Sequence, residues 1–357
     1  MAFKLLPLPL PADIELETPN VLRQLARANR QLAELKGAAA TIPNENILID
    51  TLALQEAKDS SAIENIITTD DELYRDDAAS GTYGSVASKE VHHYAHALRA
   101  GFARVRESGV IRLDDILAVQ EVLEPSRAGL RKLPGTVLRN ASTGEVVYEP
   151  PQSAMDVARL MDNFVLHLNR NEPGDPDPLV RMAVLHYQFE SIHPFYDGNG
   201  RTGRILNLLH LVLHGLLDLP VLYLSRYIVR NKADYYSGLQ AVRDSGEWEA
   251  WVMFVLRGVE ETARDTLQRV GEIRTLMQGA KQKMRSELPK IYSQDLLNNL
   301  FRHPYTKIEF IERDLGVSRP TAIKYLDALV NIKLVRKTKV GRTNFYINDP
   351  LFDLLRR

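Results

Sequence analysis

His193-Pro194-Phe195-Tyr196-Asp197-Gly198-Asn199-Gly200-Arg201-Thr202-Gly203-Arg204 is the stretch that decides how this chain folds and what it can hold. Upstream, Val180, Ala183, Val184, Tyr187 and Ile192 recur at helical spacing over 179–192, and Pro194 is expected to stop that helix near Ser191. A second helix, 201–217, is predicted directly after the glycine-rich turn. Glycines on either side of Asn199 let successive N–H groups turn toward one point, and the helix N-terminus adds partial positive charge. Together these make an anion nest. Arg201 and Arg204 lie one turn apart with forked donors, which suits a polyphosphate. Asp197, just before the nest, suits a Mg2+ ion bridging phosphate oxygens. His193 lies across the turn, and an imidazole with an unperturbed pKa of about 6.5 suits general-base work near neutrality.

Two other readings of these residues compete. Gly198, Gly200 and Gly203 match G-x-G-x-x-G, and Asp218 follows at the dinucleotide-binding distance of about 20 residues. That motif needs a strand before its glycines; here a helix and Pro194 precede them, and Asp218 ends a helix. The plainer reading is a glycine-rich helix–helix turn with surface arginines. The segment resembles, at every fixed position, the Fic-family signature His-Pro-Phe-x-Asp/Glu-Gly-Asn-Gly-Arg-x-x-Arg. The resemblance implies a mainly α protein: a Fic-type helical core with a β-hairpin flap. It also implies a protein adenylyltransferase, moving AMP from ATP to a Ser, Thr or Tyr hydroxyl of a target protein, or of itself, with release of pyrophosphate. By the same resemblance His193 is the base and Asp197 the Mg2+ ligand. Gly198, Asn199 and Gly200 form the anion hole, Arg201 and Arg204 hold the β- and γ-phosphates, and Thr202 and Gly203 complete the ATP-binding stretch. Phe195 anchors the loop. Tyr235-Tyr236, after Ser225-Arg226-Tyr227, resembles the segment against the nucleotide base, so Tyr236 joins the ATP set, with core aromatics as the alternative.

Residues 134–151 read as a β-hairpin. Val146, Val147 and Tyr148 are strand formers, Asn140 to Gly144 is turn chemistry, and Pro150-Pro151 ends the ladder. It holds the position of the family's flap, which docks target backbone by strand addition, with Val146 to Tyr148 as the working strand; an ordinary covering hairpin is the alternative. Further upstream, Ser60-Ser61-Ala62-Ile63-Glu64-Asn65 resembles the family's inhibitory motif through Ser60, Glu64 and Asn65. In proteins carrying it, the glutamate pairs with the second motif arginine, here Arg204. Two unit charges about 4 Å apart attract by roughly 4 kcal/mol at an effective dielectric near 20. Half of that would cut productive ATP binding by about 30-fold.

The rest of the chain reads as scaffold. Most of 20–110 is predicted helical, including 88–107, whereas 70–84 reads as a polar, glycine-containing loop. His92, His93 and His96 sit on one predicted helix; with no third ligand in view they read as structural or surface residues. A helix is predicted at 156–167, and 246–264 and 267–287 as two separate helices, the second a charged linker. Beyond 291 the pattern is a winged helix-turn-helix. It has a helix over 307–315, a turn at Gly316, a second helix from Ser318 through Leu329, and wing strands at 334–337 and 344–347. Residues 318–343 hold Arg319, Lys324, Lys333, Arg336, Lys337, Lys339 and Arg342 against Asp327, a local excess of +6 in a chain of net charge −1. Such a patch suits duplex DNA, though winged helices also dock proteins or dimerise, which leaves a homodimer open. The domain division expected is 1–110 with the inhibitory helix, 111–262 catalytic, 263–290 linker and 291–357 winged helix.

Composition narrows the classes further. With no cysteine there is no disulfide, thiolate metal site or cysteine nucleophile. The apolar start is broken by Pro7, Pro9 and Pro11, and 205–217 is too short and polar for a bilayer span of about 20 residues, so a cytoplasmic protein without a membrane partner is expected. The leading expectation is an autoinhibited, Mg2+- and ATP-dependent adenylyltransferase. The alternative is an ATP-sensing, DNA-binding transcriptional regulator. Relatives that move other phosphate-linked groups, or remove AMP, keep the donor and the direction of reaction open.

Overall fold

The computed structural model describes residues 5–78, 83–127, 129–139, 143–341 and 343–357. The expected turn residue Asn140 and the basic Arg342 lie outside the described residues.

Two central helices carry the site. In α7 (Pro178–Ile192) every residue from Leu179 to Ile192 is buried, and α8 (Asn199–Leu213) packs against it. α7 begins where Asp177 accepts the N–H of Leu179, with Pro178 in the first turn. α8 ends at Leu213 rather than Leu217, because Gly215 takes a left-handed conformation at φ 68°. Around this pair lie α4 (Val86–Ser108), α5 (Leu113–Leu123), α6 (Ala154–Leu168), α9 (Leu224–Arg230) and α10 (Lys232–Ser245). A short antiparallel hairpin, β1 (Leu138–Arg139) and β2 (Val146–Tyr148), pairs Leu138 with Tyr148 and Arg139 with Val146.

The N-terminal helices close the bundle. α1 (Pro19–Ala39) lies along α11 (Trp248–Glu287), burying Val21, Leu25, Ala28, Leu32 and Leu35. α2 (Glu45–Ile63) is buried on most of its faces and packs on α4 and α9. Two sequence expectations are corrected here. Residues 70–78 are a helix, α3 (Asp70–Ala78), not a loop: Asp70, Asp71 and Glu72 suit its N-terminus, and Leu73, Tyr74 and Ala78 are buried. The two helices predicted across 246–287 are one, α11. Its buried residues Val259, Ala263, Thr266, Val270, Ile273 and Met277 step alternately by four and three, one unbroken stripe despite the charged surface. The 262/263 boundary therefore falls inside a helix.

The C-terminal unit contains α12 (Gln294–Arg302), β3 (Tyr305–Thr306), α13 (Ile308–Leu315), α14 (Arg319–Asn331), β4 (Arg336–Val340), β5 (Thr343–Ile347) and α15 (Asp349–Leu355). Its sheet is antiparallel in the order β3-β5-β4. α13 and α14 meet at the Gly316 turn and lead into the β4–β5 hairpin, the order read from the sequence. The unit is fastened to the rest: Asp50 of α2 pairs with both Arg99 of α4 and Arg302 of α12, and the Tyr305 hydroxyl donates to Asp71. No helix among the described residues is long and apolar enough to cross a membrane.

α4 approaches α8 and α5 closely at Gly101, where an added Cβ would lie 2.8 Å from Leu209 and 3.0 Å from Val119. Gly101→Ala is therefore expected to destabilise the fold by about 1–3 kcal/mol through overpacking, read from the shift in urea midpoint at unchanged m.

Candidate functional site

The turn between α7 and α8 is held by its own side chains. His193 caps α7 in the left-handed region (φ 49°), and its N–H donates to the Phe189 carbonyl at 2.9 Å. A non-glycine residue there costs about 1–2 kcal/mol, a strain tolerated where the surroundings over-determine it. Here they do. Phe195 is fully buried against Phe189. Asn199 accepts the Phe195 N–H at 2.8 Å and donates to the Phe195 carbonyl at 2.9 Å. Gly198, at φ 74°, donates its N–H to Asp197 Oδ1 at 2.7 Å.

Arg131 is a clamp that sequence reasoning missed. It is 1% exposed. Its guanidinium donates to the carbonyls of His193 (2.8 Å), Ile192 (3.3 Å) and Pro151, while its own N–H donates to Pro194. One side chain thus ties the turn to the base of the hairpin. Tyr148 does the same from the other end. Its hydroxyl donates to the Ser191 carbonyl at 2.8 Å, and Arg243 lies 4.0 Å over its ring. Val146 and Val147 stay exposed.

These elements enclose a cavity of about 820 Å3. It gathers His193, Asp197, Gly198, Asn199, Gly200, Arg204 and Tyr236 with Glu64, Asn65 and Val147. Arg201, Thr202, Gly203, Ser60, Val146 and Tyr148 are not on its wall. The reason is helical: residues 200 and 204 share a face, and 201–203 point elsewhere. Thr202 is fully buried, and Arg201 is buried behind the wall.

Both motif arginines are already paired. Arg204, 3% exposed, donates from Nε to Ser60 Oγ at 2.7 Å and from Nη2 to the Ser60 carbonyl (3.1 Å) and Glu64 Oε1 (2.8 Å). Glu64 Oε2 lies 3.0 Å from Arg201 Nε, and Glu90 (3.2 Å) and Glu124 (2.6 Å) hold the other arms of Arg201. Glu64 therefore spans both guanidiniums, not Arg204 alone. Gly200 makes room for this pair: a Cβ there would meet Arg204 Nη1 at 2.7 Å and Glu64 Oε1 at 2.8 Å. Asn65 turns the chain after Glu64 in the left-handed region (φ 64°), which favours asparagine or glycine, and its side-chain oxygen accepts from Lys232. α2 is itself pinned by Glu56, which accepts from the Ser225 N–H and hydroxyl and from the Tyr94 hydroxyl.

Burial holds the His193 imidazole down at about 4, with Arg131 and Arg243 adding to the effect and the Glu190 carbonyl opposing it. At neutral pH it is uncharged and able to take a proton. Burial pushes the Glu190 carboxyl up to about 7; Arg204 pulls it down and Glu64 raises it. His92 is buried with Nδ1 on the Ser88 carbonyl, and no cluster of His, Asp and Glu able to hold a metal occurs among the described residues.

Comparison with known proteins finds similarity along most of the chain. Residues 110–211 match the Fic/DOC family, 22–103 the Fic/DOC family N-terminal region, and 276–351 the C-terminal domain of the protein adenylyltransferase SoFic-like type. A protein adenylyltransferase fic-1 of Caenorhabditis elegans is 30% identical over 148 residues, 41% of this chain and 28% of that protein. A protein adenylyltransferase Fic of Nematostella vectensis is 30% identical over 181 residues, 48% of this chain and 39% of that protein. The matched region is thus well under half of either relative. Among solved structures, a Fic family protein from Desulfovibrio desulfuricans shares the fold at TM-score 0.58 and 21% identity, covering 93% of this chain and 96% of that one. Residues 134–508 of C. elegans Fic-1 align at TM-score 0.54 and 24% identity, covering 72% of this chain and 75% of that one.

Because the folded protein binds the Glu190 proton more tightly than the unfolded chain does, ionising this carboxyl costs stability as pH rises from 4.5 through about 7, and the loss persists above that. Glu190→Gln is expected to raise the thermal midpoint at pH 8 and to give no gain at pH 4.5, read by calorimetry at the two pH values.

Proposed function

Proceeding from a chain that belongs to the Fic/DOC family, we propose that it is a protein adenylyltransferase held inactive by its own Glu64. The observation that carries the reading is the meeting of a neutral imidazole, an N-terminal helix nest and a buried arginine on one cavity wall, with a carboxylate from α2 already on that arginine.

ATP would lie with its phosphates on the N–H groups of Gly198–Gly200, where the helix dipole favours negative charge. His193 takes the proton of the target hydroxyl as its oxygen bonds to the α-phosphorus and the bond to pyrophosphate breaks. Nearly all the assistance is positioning and charge stabilisation, which suits a rigid turn clipped by Asn199 and Arg131. The half-exposed Asp197 carboxylate at the cavity rim fits Mg2+, whose charge would offset that of the phosphates when bound. The exposed Val146–Val147 edge of the hairpin is the surface for the target backbone, since an edge strand offers unpaired hydrogen-bonding groups. Arg204 is the γ-phosphate ligand. Arg201, walled off by Glu90 and Glu124, is assigned to holding the loop and Glu64 rather than to direct phosphate contact.

DNA binding draws less support. In the C-terminal basic patch Arg319 pairs with Glu309 and Glu312, Arg336 with Asp349, and Lys337 with Asp327, so much of its charge is neutralised internally.

Two variants test the proposal. Intact-mass analysis after incubation with Mg2+ and ATP should show self-modification in steps of one AMP, increased about 30-fold in Glu64→Gly. No gain in that variant would count against autoinhibition. His193→Ala in the Glu64→Gly background should lose transfer by about 10²–10⁴ while ATP still binds. Retained labelling would refute the role given to the imidazole.

A further inference from the structure

Lys232 is a cation on the cavity wall that the mechanism does not use. It opens α10, and its ammonium donates to Asn65 Oδ1 at 3.2 Å. Two features separate it from an ordinary surface lysine. It lies at the positive end of a helix, where the macrodipole favours an acid over a cation. Its partner among the described residues is a neutral amide oxygen rather than a carboxylate, and an ammonium binds a charged oxygen more strongly.

That partner fixes where in the cavity Lys232 works. Asn65 follows directly on Glu64, whose Oε1 lies 2.8 Å from Arg204 Nη2, so Lys232 and Arg204 hold consecutive residues at one end of the cavity. Gly200, in the first turn of α8, stands against the same place: a Cβ there would lie 2.8 Å from Glu64 Oε1. The other wall cations are engaged elsewhere. Arg139 donates to the Gly144 carbonyl within the hairpin, and Arg243 lies 4.0 Å over the Tyr148 ring. Arg201 is closed off by Glu64, Glu90 and Glu124. A triphosphate brings more negative charge than the Arg204 guanidinium alone offsets, and its outer oxygens are the charged acceptors that Lys232 lacks. The flexible lysine stem lets the ammonium change partner.

We propose that Lys232 is the second cationic ligand of the triphosphate, leaving Asn65 to bind the outer phosphates beside Arg204. The proposal rests on the adenylyltransferase reading above and adds a ligand from outside the signature. The exchange also reaches the inhibitory turn. Asn65 is where the chain bends after α2, so a ligand that takes Lys232 frees the residue next to Glu64.

The test uses the full chain carrying Glu64→Gly, in which no carboxylate at 64 competes for Arg204, and reads equilibrium binding of ATP and AMP with Mg2+ by calorimetry. Lys232→Met should weaken ATP by about tenfold and leave AMP within about twofold, since AMP lacks the outer phosphates. Lys232→Arg should restore most of the ATP affinity, because the charge rather than the stem makes the contact. Asn65→Gly keeps the left-handed turn at φ 64° and removes the competing oxygen. It should tighten ATP by about threefold, and the gain should vanish in combination with Lys232→Met. ATP affinity unchanged by Lys232→Met overturns the proposal. An equal loss for AMP also overturns it, by moving the contact to the base, the sugar or the α-phosphate. No gain in Asn65→Gly, or a gain that persists without Lys232, overturns the exchange. An ATP-specific loss in Lys232→Met, with no self-modification in Glu64→Gly, would refute the adenylyltransferase reading and leave Lys232 as a triphosphate ligand.

Discussion

A guanidinium buried to 3% exposure must have a counter-charge, and the architecture around the cavity follows from meeting that demand twice over. Arg201 and Arg204 are one turn apart on α8, and neither can release its charge to water. Glu64 from the end of α2, Glu90 from α4 and Glu124 after α5 supply the compensation. The electrostatics of α8 therefore dictate that three chain segments converge on its first turn. The same demand sets up a competition. A phosphate at Arg204 offers the charge that Glu64 now supplies, so the contact that completes the fold at this point is the one that a ligand has to replace.

What the sequence disclosed is set by how local each determinant is. The turn from His193 to Arg204 was legible because its glycines, proline and arginines act within a dozen residues, and the helix on either side has an apolar period to read. Glu64 was legible only through resemblance, since its partner stands 140 residues away. Arg131, Glu90, Glu124 and Glu190 carried no signal: an ordinary charged residue becomes a clamp or a buried acceptor only when a distant segment closes over it. The helix errors have a similar origin. In α3 the run of acids hid the apolar face of Leu73, Tyr74 and Ala78, which exists because other elements cover it. In α11 the dense surface charge suggested a break, although the four-and-three spacing of buried residues runs through it.

α2 links two parts of the molecule that the sequence kept apart. It reaches from Asp50, held by Arg302 of the C-terminal unit, to Glu64 at the motif, roughly 20 Å at 1.5 Å per residue. Between these ends Glu56 is fixed to Ser225 and Tyr94, and Ser60 to Arg204. A segment tied at four points along one face behaves as a single lever. Displacing Glu64 without disturbing the rest therefore requires unwinding at the last turn, where Ile63 ends the helix and Asn65 already bends the chain.

The glycines of the turn show why the cavity tolerates so little substitution. Gly200 leaves the space in which Glu64 reaches Arg204, and Gly203 leaves the space in which the Glu190 oxygen is enclosed. The two are not equivalent. Gly200 falls on a fixed position of the recurrent signature, whereas Gly203 falls on one of its free positions, and Glu190 lies outside it. A Cβ at 203 would meet the Glu190 carboxylate at 2.9 Å and the Phe189 ring at 3.1 Å, both on α7, so the close approach of the two helices requires glycine there. Residues 190 and 203 are thus packed as a pair at the contact between α7 and α8. Gly203 stands behind the cavity wall, so this contact fixes the spacing of α7 and α8 beneath the residues that bind phosphate and move the proton.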